Sequence, residues 1–384
     1  VRRISVFGAT GSVGQSTLDL VSREPDAYDV VALTGGANVA RLAEDAIRLQ
    51  AGVAVTAFDA MLPELRARLE GTGIEAAAGQ TALMEAADRP ADWTMSAIVG
   101  FAGLAPGLAA LRHGGTLALA NKESLVCAGP LLLGAAERHG ARVLPVDSEH
   151  SAVFQALAGE KAGAVEKVVI TASGGGLRDW PLDRLDDATP DEAGSHPNWD
   201  MGQRITIDSA SMFNKAMELI ETHEFFGIAP ERIEAVIHPQ SIVHALVQFR
   251  DGAMMAHLGV PDMRHAIGYA LHWPERRQLP VGRLDLAETA CLDFRRPDPE
   301  RYPALELAHR VMEMGGLAGA AFNAAKEAAL DLFIARAIRF TEMAPIVARV
   351  LDRMQPRLEA GNMTLDMVAE TDRAARDHVR DLSK

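Results

Sequence analysis

Short apolar runs alternate with longer stretches of helical spacing through the first part of the chain. Ile4 to Phe7, Val30 to Thr34, Val53 to Phe58, Thr94 to Val99, Thr116 to Ala120 and Arg142 to Val146 are apolar runs bounded by glycine or polar residues. Such runs predict buried strands. Between them lie helical patterns, beginning with Gln15 to Arg23 and continuing through Ala- and Leu-rich segments. This alternation predicts an α/β fold with a doubly wound parallel sheet, whose ligands lie beyond the carboxyl ends of the strands. Near Asp147 the pattern changes. Val168 to Ala172, Ile233 to Ile237, Ile242 to Phe249 and Ala253 to Leu258 predict further strands, mostly antiparallel. Arg204 to Ile207 reads as a short β-like run, followed by a helix with Asp208 or Ser209 as its N-cap. Pro274, Pro280, Pro297, Pro299 and Pro303 mark a linker. Residues 302–314, 317–336, 341–355 and 364–383 then read as a helical bundle, with Thr341 as an N-cap.

Composition narrows the classes. The chain has 384 residues and a formal net charge of −14, with no basic block, which argues against a nucleic-acid partner. No run approaches the roughly 20 apolar residues that span a bilayer, so no membrane association is expected. The N-terminal V-R-R-I-S-V-F-G is too short for a signal peptide and is expected to belong to the fold. Cys127 and Cys291 lie far apart without metal-ligand spacing. A reducing cytoplasm fits them.

The candidate chemistry falls at the strand ends and in one later stretch. After the first strand comes G-A-T-G-S-V-G (8–14) and then a helix, the context of a dinucleotide-binding turn. The glycines admit a pyrophosphate close to backbone, and the helix N-terminus favours its charge. The second strand ends in Gly35-Gly36-Ala37-Asn38. No acid stands there to hold a ribose hydroxyl, which favours NADP over NAD, but the nearest cation is Arg41. Asn121-Lys122-Glu123-Ser124 and Asp147-Ser148-Glu149-His150 follow two further strands; each is also a plausible helix start with dipole-matching acids. From Ser195 to Glu221 a His/Trp loop leads into a helix. Ser211, Asn214, Lys215 and Glu218 share one face of it, and Phe213, Ala216, Met217 and Ile220 the other. The plain alternative is a surface helix with a solvated polar face. Asp147, Glu149 and Glu218 are hard ligands that suit Mg²⁺ or Mn²⁺, with Asp147 and Glu149 on one side of an extended stretch. Ser173, Ser209, Asn214 and Lys215 are donors suited to a phosphate. His196, Trp199 and Met201 sit where a lid would cover a substrate.

Assembled in order, these motifs resemble the 1-deoxy-D-xylulose 5-phosphate reductoisomerase family. The resemblance rests on G-A-T-G-S-V-G (8–14), A-N-K-E-S-L-V (120–126), L-P-V-D-S-E-H (144–150), H-P-N-W-x-M-G (196–202), D-S-A-S-M-F-N-K-A-M-E (208–218), I-H-P-Q-S-I-V-H (237–244) and G-x-P-D-M-R (259–264). It implies a Rossmann-type NADPH-binding domain (1–147), an α+β catalytic domain with a mostly antiparallel sheet and a lid loop at 173–203 (148–272), a linker (273–300) and a C-terminal helical bundle (301–384). It places Thr10, Gly11, Ser12, Val13, Gly36, Asn38, Asn121, Glu123 and Gly202 at NADPH contacts. Asp147, Glu149 and Glu218 fall at the ligands of a divalent metal (Mn²⁺, Mg²⁺ or Co²⁺). Lys122, Ser148, Glu149, Ser173, His196, Ser209, Asn214, Lys215 and Glu218 match substrate contacts. Lys122, Glu149, His196 and Trp199 are the implied catalytic group. The implied reaction is isomerisation and NADPH-dependent reduction of a sugar phosphate by a homodimer.

Two departures stand out. Position 37 is Ala where many members carry a cation, and T-A-S-G-G-G-L (171–177) replaces a commoner T-G-S-G-G-P-F, which predicts a looser lid hinge. Two rivals share the glycine turn. A semialdehyde dehydrogenase needs an activated thiolate, and neither cysteine has an evident activating partner. A non-catalytic redox sensor has no need of the carboxylates or the phosphate donors.

Overall fold

The computed structural model describes residues 1–195, 202–355, 358 and 362–382. Two compact units divide the chain. One comprises Val1–Ser124, Leu132–Ser151 and Asp262–Val281; the other comprises Leu125–Leu131, Ala152–Pro261 and Gly282–Lys384.

The first unit is built on seven parallel strands: β1 (Arg2–Phe7), β2 (Tyr28–Gly35), β3 (Val53–Thr56), β4 (Glu75–Ala78), β5 (Trp93–Ser96), β6 (Thr116–Leu119) and β7 (Arg142–Pro145). Their order is β4-β3-β2-β1-β5-β6-β7, so the strand order reverses between β1 and β5. Helices α1 (Ser12–Ser22), α2 (Val39–Arg48), α3 (Leu62–Leu69), α4 (Gly79–Ala87), α5 (Leu104–Leu111), α6 (Lys122–Arg138) and α7 (Ser148–Ala156) connect and follow them. Every residue of β3 and β5 is buried. That is the signature of strands covered on both faces, and it explains why they read as continuous apolar runs. The edge strand β4 was invisible in the pattern: its Glu-Ala-Ala-Ala has little β-propensity and is held by its ladder to β3.

In the second unit β8 (Val165–Ala172) precedes α8 (Pro190–Ala193), α9 (Gln203–Ala210) and α10 (Phe213–Phe226). Then come β9 (Ile233–Ile237), β10 (Val243–Phe249) and β11 (Met254–Leu258). The sheet order is β11-β10-β8-β9; β10 is antiparallel to both neighbours, and β8 pairs with β9 in parallel. The run Arg204 to Ile207, expected to be β-like, lies inside α9. Its burial follows a helix, with Thr206, Ile207 and Ala210 inward and Ile205 exposed. Asp208 and Ser209 therefore sit in α9 rather than capping α10, whose N-cap is Met212 in the left-handed region (φ 61°).

Helix α11 (Arg264–His272) returns to the first unit. The Trp93 indole N–H donates to Ala270 O (3.1 Å), a last-turn carbonyl that the helix itself leaves open. Arg264 bridges Asp262 and Asp19, and the Arg142 guanidinium lies 4.2 Å over the Trp273 ring. After the short α12 (Leu286–Thr289), the helices α13 (Ala304–Met314), α14 (Ala318–Ile334), α15 (Met343–Met354) and α16 (Leu365–Leu382) form the expected bundle. Thr341 lies in a 3₁₀ turn before α15 and does not cap it; Glu342 occupies that position. Among the described residues no helix is long and apolar enough to cross a membrane.

Helix α6 is kinked at Ala128 (φ −153°, ψ 37°), two residues before Pro130. Proline has no N–H to give Val126 O, so the ladder breaks there. Gly319 of α14 packs against that carbonyl: a Cβ at 319 would lie 1.8 Å from Val126 O. Gly319→Ala is expected to cost about 2–3 kcal/mol of unfolding free energy, read from urea denaturation followed by circular dichroism. An unchanged midpoint would mean that the two helices part at no cost.

Candidate active site

At the carboxyl ends of β1 and β2 the chain forms an open cradle. Ala9 N–H donates to Thr34 O (2.7 Å) and Gly11 N–H to Gly8 O (3.1 Å), which curls the turn onto the second strand. Helix α1 starts after Gly11 with no side-chain cap, and Gly11 and Ser12 are exposed. Its first N–H groups thus face outward at the positive end of the helix. Gly14 lies under the turn; a Cβ there would sit 2.2 Å from Gly8 O. Thr10 lies against Gly35, and Thr56 Oγ1 donates to Gly36 O (2.9 Å). The Asn38 side chain caps α2 by accepting from Arg41 N–H (3.1 Å). Thr10, Gly11, Ser12, Val13, Gly36 and Asn38 therefore line one edge, beside the point where the strand order reverses. Arg41 is half exposed and bonded to Asp45 and Gln15.

Two strands away, the ends of β6 and β7 meet. Asn121 spends its amide internally: Nδ2 donates to Ile98 O (2.6 Å), Gly100 O (2.9 Å) and Glu123 (2.9 Å), and Oδ1 accepts from Ser124 N–H (2.9 Å). Lys122 Nζ reaches Asp147 Oδ2 at 2.6 Å, both side chains mostly buried. Ser148 Oγ donates to Glu149 (2.5 Å). The expected extended stretch is absent, since β7 ends at Pro145 and α7 starts at Ser148. Asp147 precedes the helix and Glu149 lies in its first turn, where the helix dipole favours acids. Ligand oxygens of the two carboxylates still come within 4.8 Å of each other.

In the second unit α10 carries the other cluster. Asn214 Nδ2 donates to Glu218 Oε1 (2.6 Å), and Lys215 pairs with the second oxygen of Glu218. The side chains of Lys215 and Glu218 are 5% and 1% exposed, so the expected polar face is buried like the apolar one. Ser211 is not on that face; it closes α9 and bonds back to Ile207 O (2.9 Å). A buried ion pair is poor evidence for stability and good evidence for a built site.

The turn after β8 lies against the end of α9. Gly174 and Gly175 have φ of 85° and 70°, and a Cβ on Gly175 would sit 2.4 Å from Ala210 Cα. This brings the turn that follows Ser173 against the backbone of Ser209 and Ala210. Gly175 N–H donates to Ser173 Oγ (3.1 Å), and Arg178 holds Ser173 O (2.6 Å). Tyr302, which sequence reasoning missed, donates to Gly174 O (3.1 Å). Burial pushes its phenol up to about 12, so it stays a neutral donor. No periodicity flags a residue that acts by propping a turn 128 positions away. The departure at Gly176 reads differently in space: a Cβ there would lie 2.2 Å from Ser195 O, so the base of the lid segment is closely packed. Gly202 is exposed at the N-cap of α9. His196, Trp199 and Met201 lie outside the described residues.

A parallel sheet with an open glycine cradle at its switch point, and a second unit with buried acid, ammonium and hydroxyl donors, define a dinucleotide-dependent oxidoreductase. Domain models narrow the class: that of 1-deoxy-D-xylulose 5-phosphate reductoisomerase matches residues 4–129, that of its C-terminal domain 143–226, and that of the DXP reductoisomerase C-terminal domain 258–378. The 1-deoxy-D-xylulose 5-phosphate reductoisomerase of Ruegeria pomeroyi is 70% identical over 381 residues, covering 99% of this chain and 96% of its own. The Zymomonas mobilis enzyme, solved in complex with NADPH, superposes with a TM-score of 0.94 at 45% identity, covering 100% of this chain and 99% of its own. A reductoisomerase solved with NADPH, fosmidomycin and magnesium gives 0.94 at 36% identity, covering 100% and 98%. The chain belongs to the 1-deoxy-D-xylulose 5-phosphate reductoisomerase family.

Gly14→Ala is expected to weaken dinucleotide binding by about tenfold or more, because the helix must move off the turn. Calorimetric titration measures it; wild-type affinity would move the dinucleotide away from this cradle.

Proposed function

We propose that this chain converts 1-deoxy-D-xylulose 5-phosphate to 2-C-methyl-D-erythritol 4-phosphate, by isomerisation and then NADPH-dependent reduction, in the cytoplasm and as part of isoprenoid biosynthesis. The observation that carries the reading is the Asn214–Lys215–Glu218 cluster on α10, with its ion pair buried. A carboxylate and an ammonium so buried serve a ligand better than they serve the fold.

Asp147, Glu149 and Glu218 are proposed to hold a divalent metal (Mg²⁺, Mn²⁺ or Co²⁺). The donor set fits: three hard carboxylates, with Asp147 and Glu149 already convergent. When bound, such a metal polarises the ketone and an adjacent hydroxyl as a Lewis acid. NADPH, when bound, supplies the hydride; Thr10, Gly11, Ser12, Val13, Gly36, Asn38, Asn121, Glu123 and Gly202 are proposed to contact it.

The chain's own groups do the rest. Ser173, Ser209, Asn214 and Lys215 hold the substrate phosphate. The Lys215 ammonium is a compact three-donor cation, a group suited to phosphate oxygens. Ser148 orients a substrate hydroxyl. Lys122 and Glu149 move protons at the hydroxyls, the first beside Asp147 and the second bonded to Ser148. His196 and Trp199 close over the substrate and exclude water.

The chain is also proposed to act as a homodimer through the sheet of the second unit. Its edge strand β11 exposes Met254, Met255 and Leu258, an apolar edge that a lone protein avoids.

Loss of NADPH absorbance with the sugar phosphate, with metal or with excess chelator, tests the activity. Glu218→Gln is expected to lower turnover by about a thousandfold or more while NADPH affinity stays within about twofold of wild type. Wild-type turnover in that variant would remove Glu218 from the metal. Met255→Glu is expected to shift the mass seen by light scattering from dimer to monomer; a dimer that survives it unchanged would place the interface elsewhere.

A further inference from the structure

The bundle helix α14 carries a buried lysine that the reading so far does not use. Lys326 Nζ lies 2.9 Å from Asp208 Oδ2, with side-chain exposures of 4% and 10%. Asp208 is in the last turn of α9, immediately before Ser209, and Ala210 is the residue on which the Ser173 turn rests. A second pair joins the same two helices, Arg204 with Asp331, but its side chains are 48% and 58% exposed. Exposed pairs contribute little, whereas a buried carboxylate stripped of its cation is costly.

We propose that Lys326 is a positioning residue for the phosphate subsite: it neutralises Asp208, so that Ser209 and Ser173 face the substrate phosphate without an uncompensated anion next to them. The inference rests on the reductoisomerase reading. Its physical basis is short range. In a low-dielectric interior a lone carboxylate repels a dianionic phosphate strongly, and Asp208 shares the last turn of α9 with Ser209. The bundle, which the sequence pattern marks as structural, thereby sets the charge of the substrate site.

The test compares Lys326→Met, the double variant Asp208→Asn/Lys326→Met, and Arg204→Ala as the exposed-pair control. For Lys326→Met the expected result is a rise of about tenfold in KM for 1-deoxy-D-xylulose 5-phosphate and in the inhibition constant of inorganic phosphate. The values of kcat and of KM for NADPH should stay within about twofold. The double variant, which removes both charges of the Lys326–Asp208 pair, should return both phosphate-dependent constants to near wild type, and Arg204→Ala should leave them unchanged. An unchanged substrate KM in Lys326→Met overturns the proposal. So does a double variant that stays as impaired as the single one. Should Lys326→Met fail to fold, the double variant decides alone: near-native constants support the proposal and a tenfold rise overturns it. Wild-type turnover is the control that separates the two readings, because its absence would sink the proposed function and not this one.

Discussion

The charged face of α10 is the constraint on which the second unit depends. Lys215 and Glu218 are withdrawn from water together, and Asn214 supplies a further hydrogen bond to the same carboxylate. Such a group is tolerated only where the surrounding packing keeps every partner in place. The left-handed Met212 lets α9 and α10 follow one another with a sharp turn. Phe213, on the apolar side of α10, packs against Phe322 of α14 with ring centroids 5.8 Å apart. The polar cluster is thus set by apolar contacts on the opposite side of the same helix.

The first unit solves a different problem, that of leaving polar backbone open. Its strands β3 and β5 are buried on both faces, while the turn before α1 leaves backbone N–H groups open at the uncapped helix start. Chemistry is confined to the carboxyl edge of the sheet by the same burial that makes the strands readable. Internal bonds fix the loops there. Asn121 joins the segment after β5 to the start of α6, and Thr34 receives the glycine turn.

Much of this was legible in the chain. Six of the seven parallel strands and all four bundle helices follow from apolar period alone, because burial on two faces or on one stripe writes a simple pattern. β4 escaped because alanine fits either state and the ladder decided. Arg204 to Ile207 misled because two isoleucines alternate with polar residues, while packing of Thr206, Ile207 and Ala210 selected a helix. Of the candidate site, the residues within one segment were readable: Asn214, Lys215 and Glu218 share a face by spacing, and Lys122 and Asp147 stand at strand ends. Partners distant in sequence were not. The Lys326–Asp208 pair spans 118 positions and the Tyr302–Gly174 bond 128, and nothing in a local window joins them.

The return of α11 to the first unit bears on how the protein is born. A chain leaving the ribosome presents β1 to β7 long before residues 262–281 exist, so Trp93 at first has no Ala270 carbonyl to bind and the face that α11 covers is open. Domains generally fold in order of synthesis, N-terminal first. Here the first unit cannot close until the sheet of the second has been translated, which leaves the Trp93 face uncovered through that interval and makes any fragment ending before residue 281 an incomplete fold.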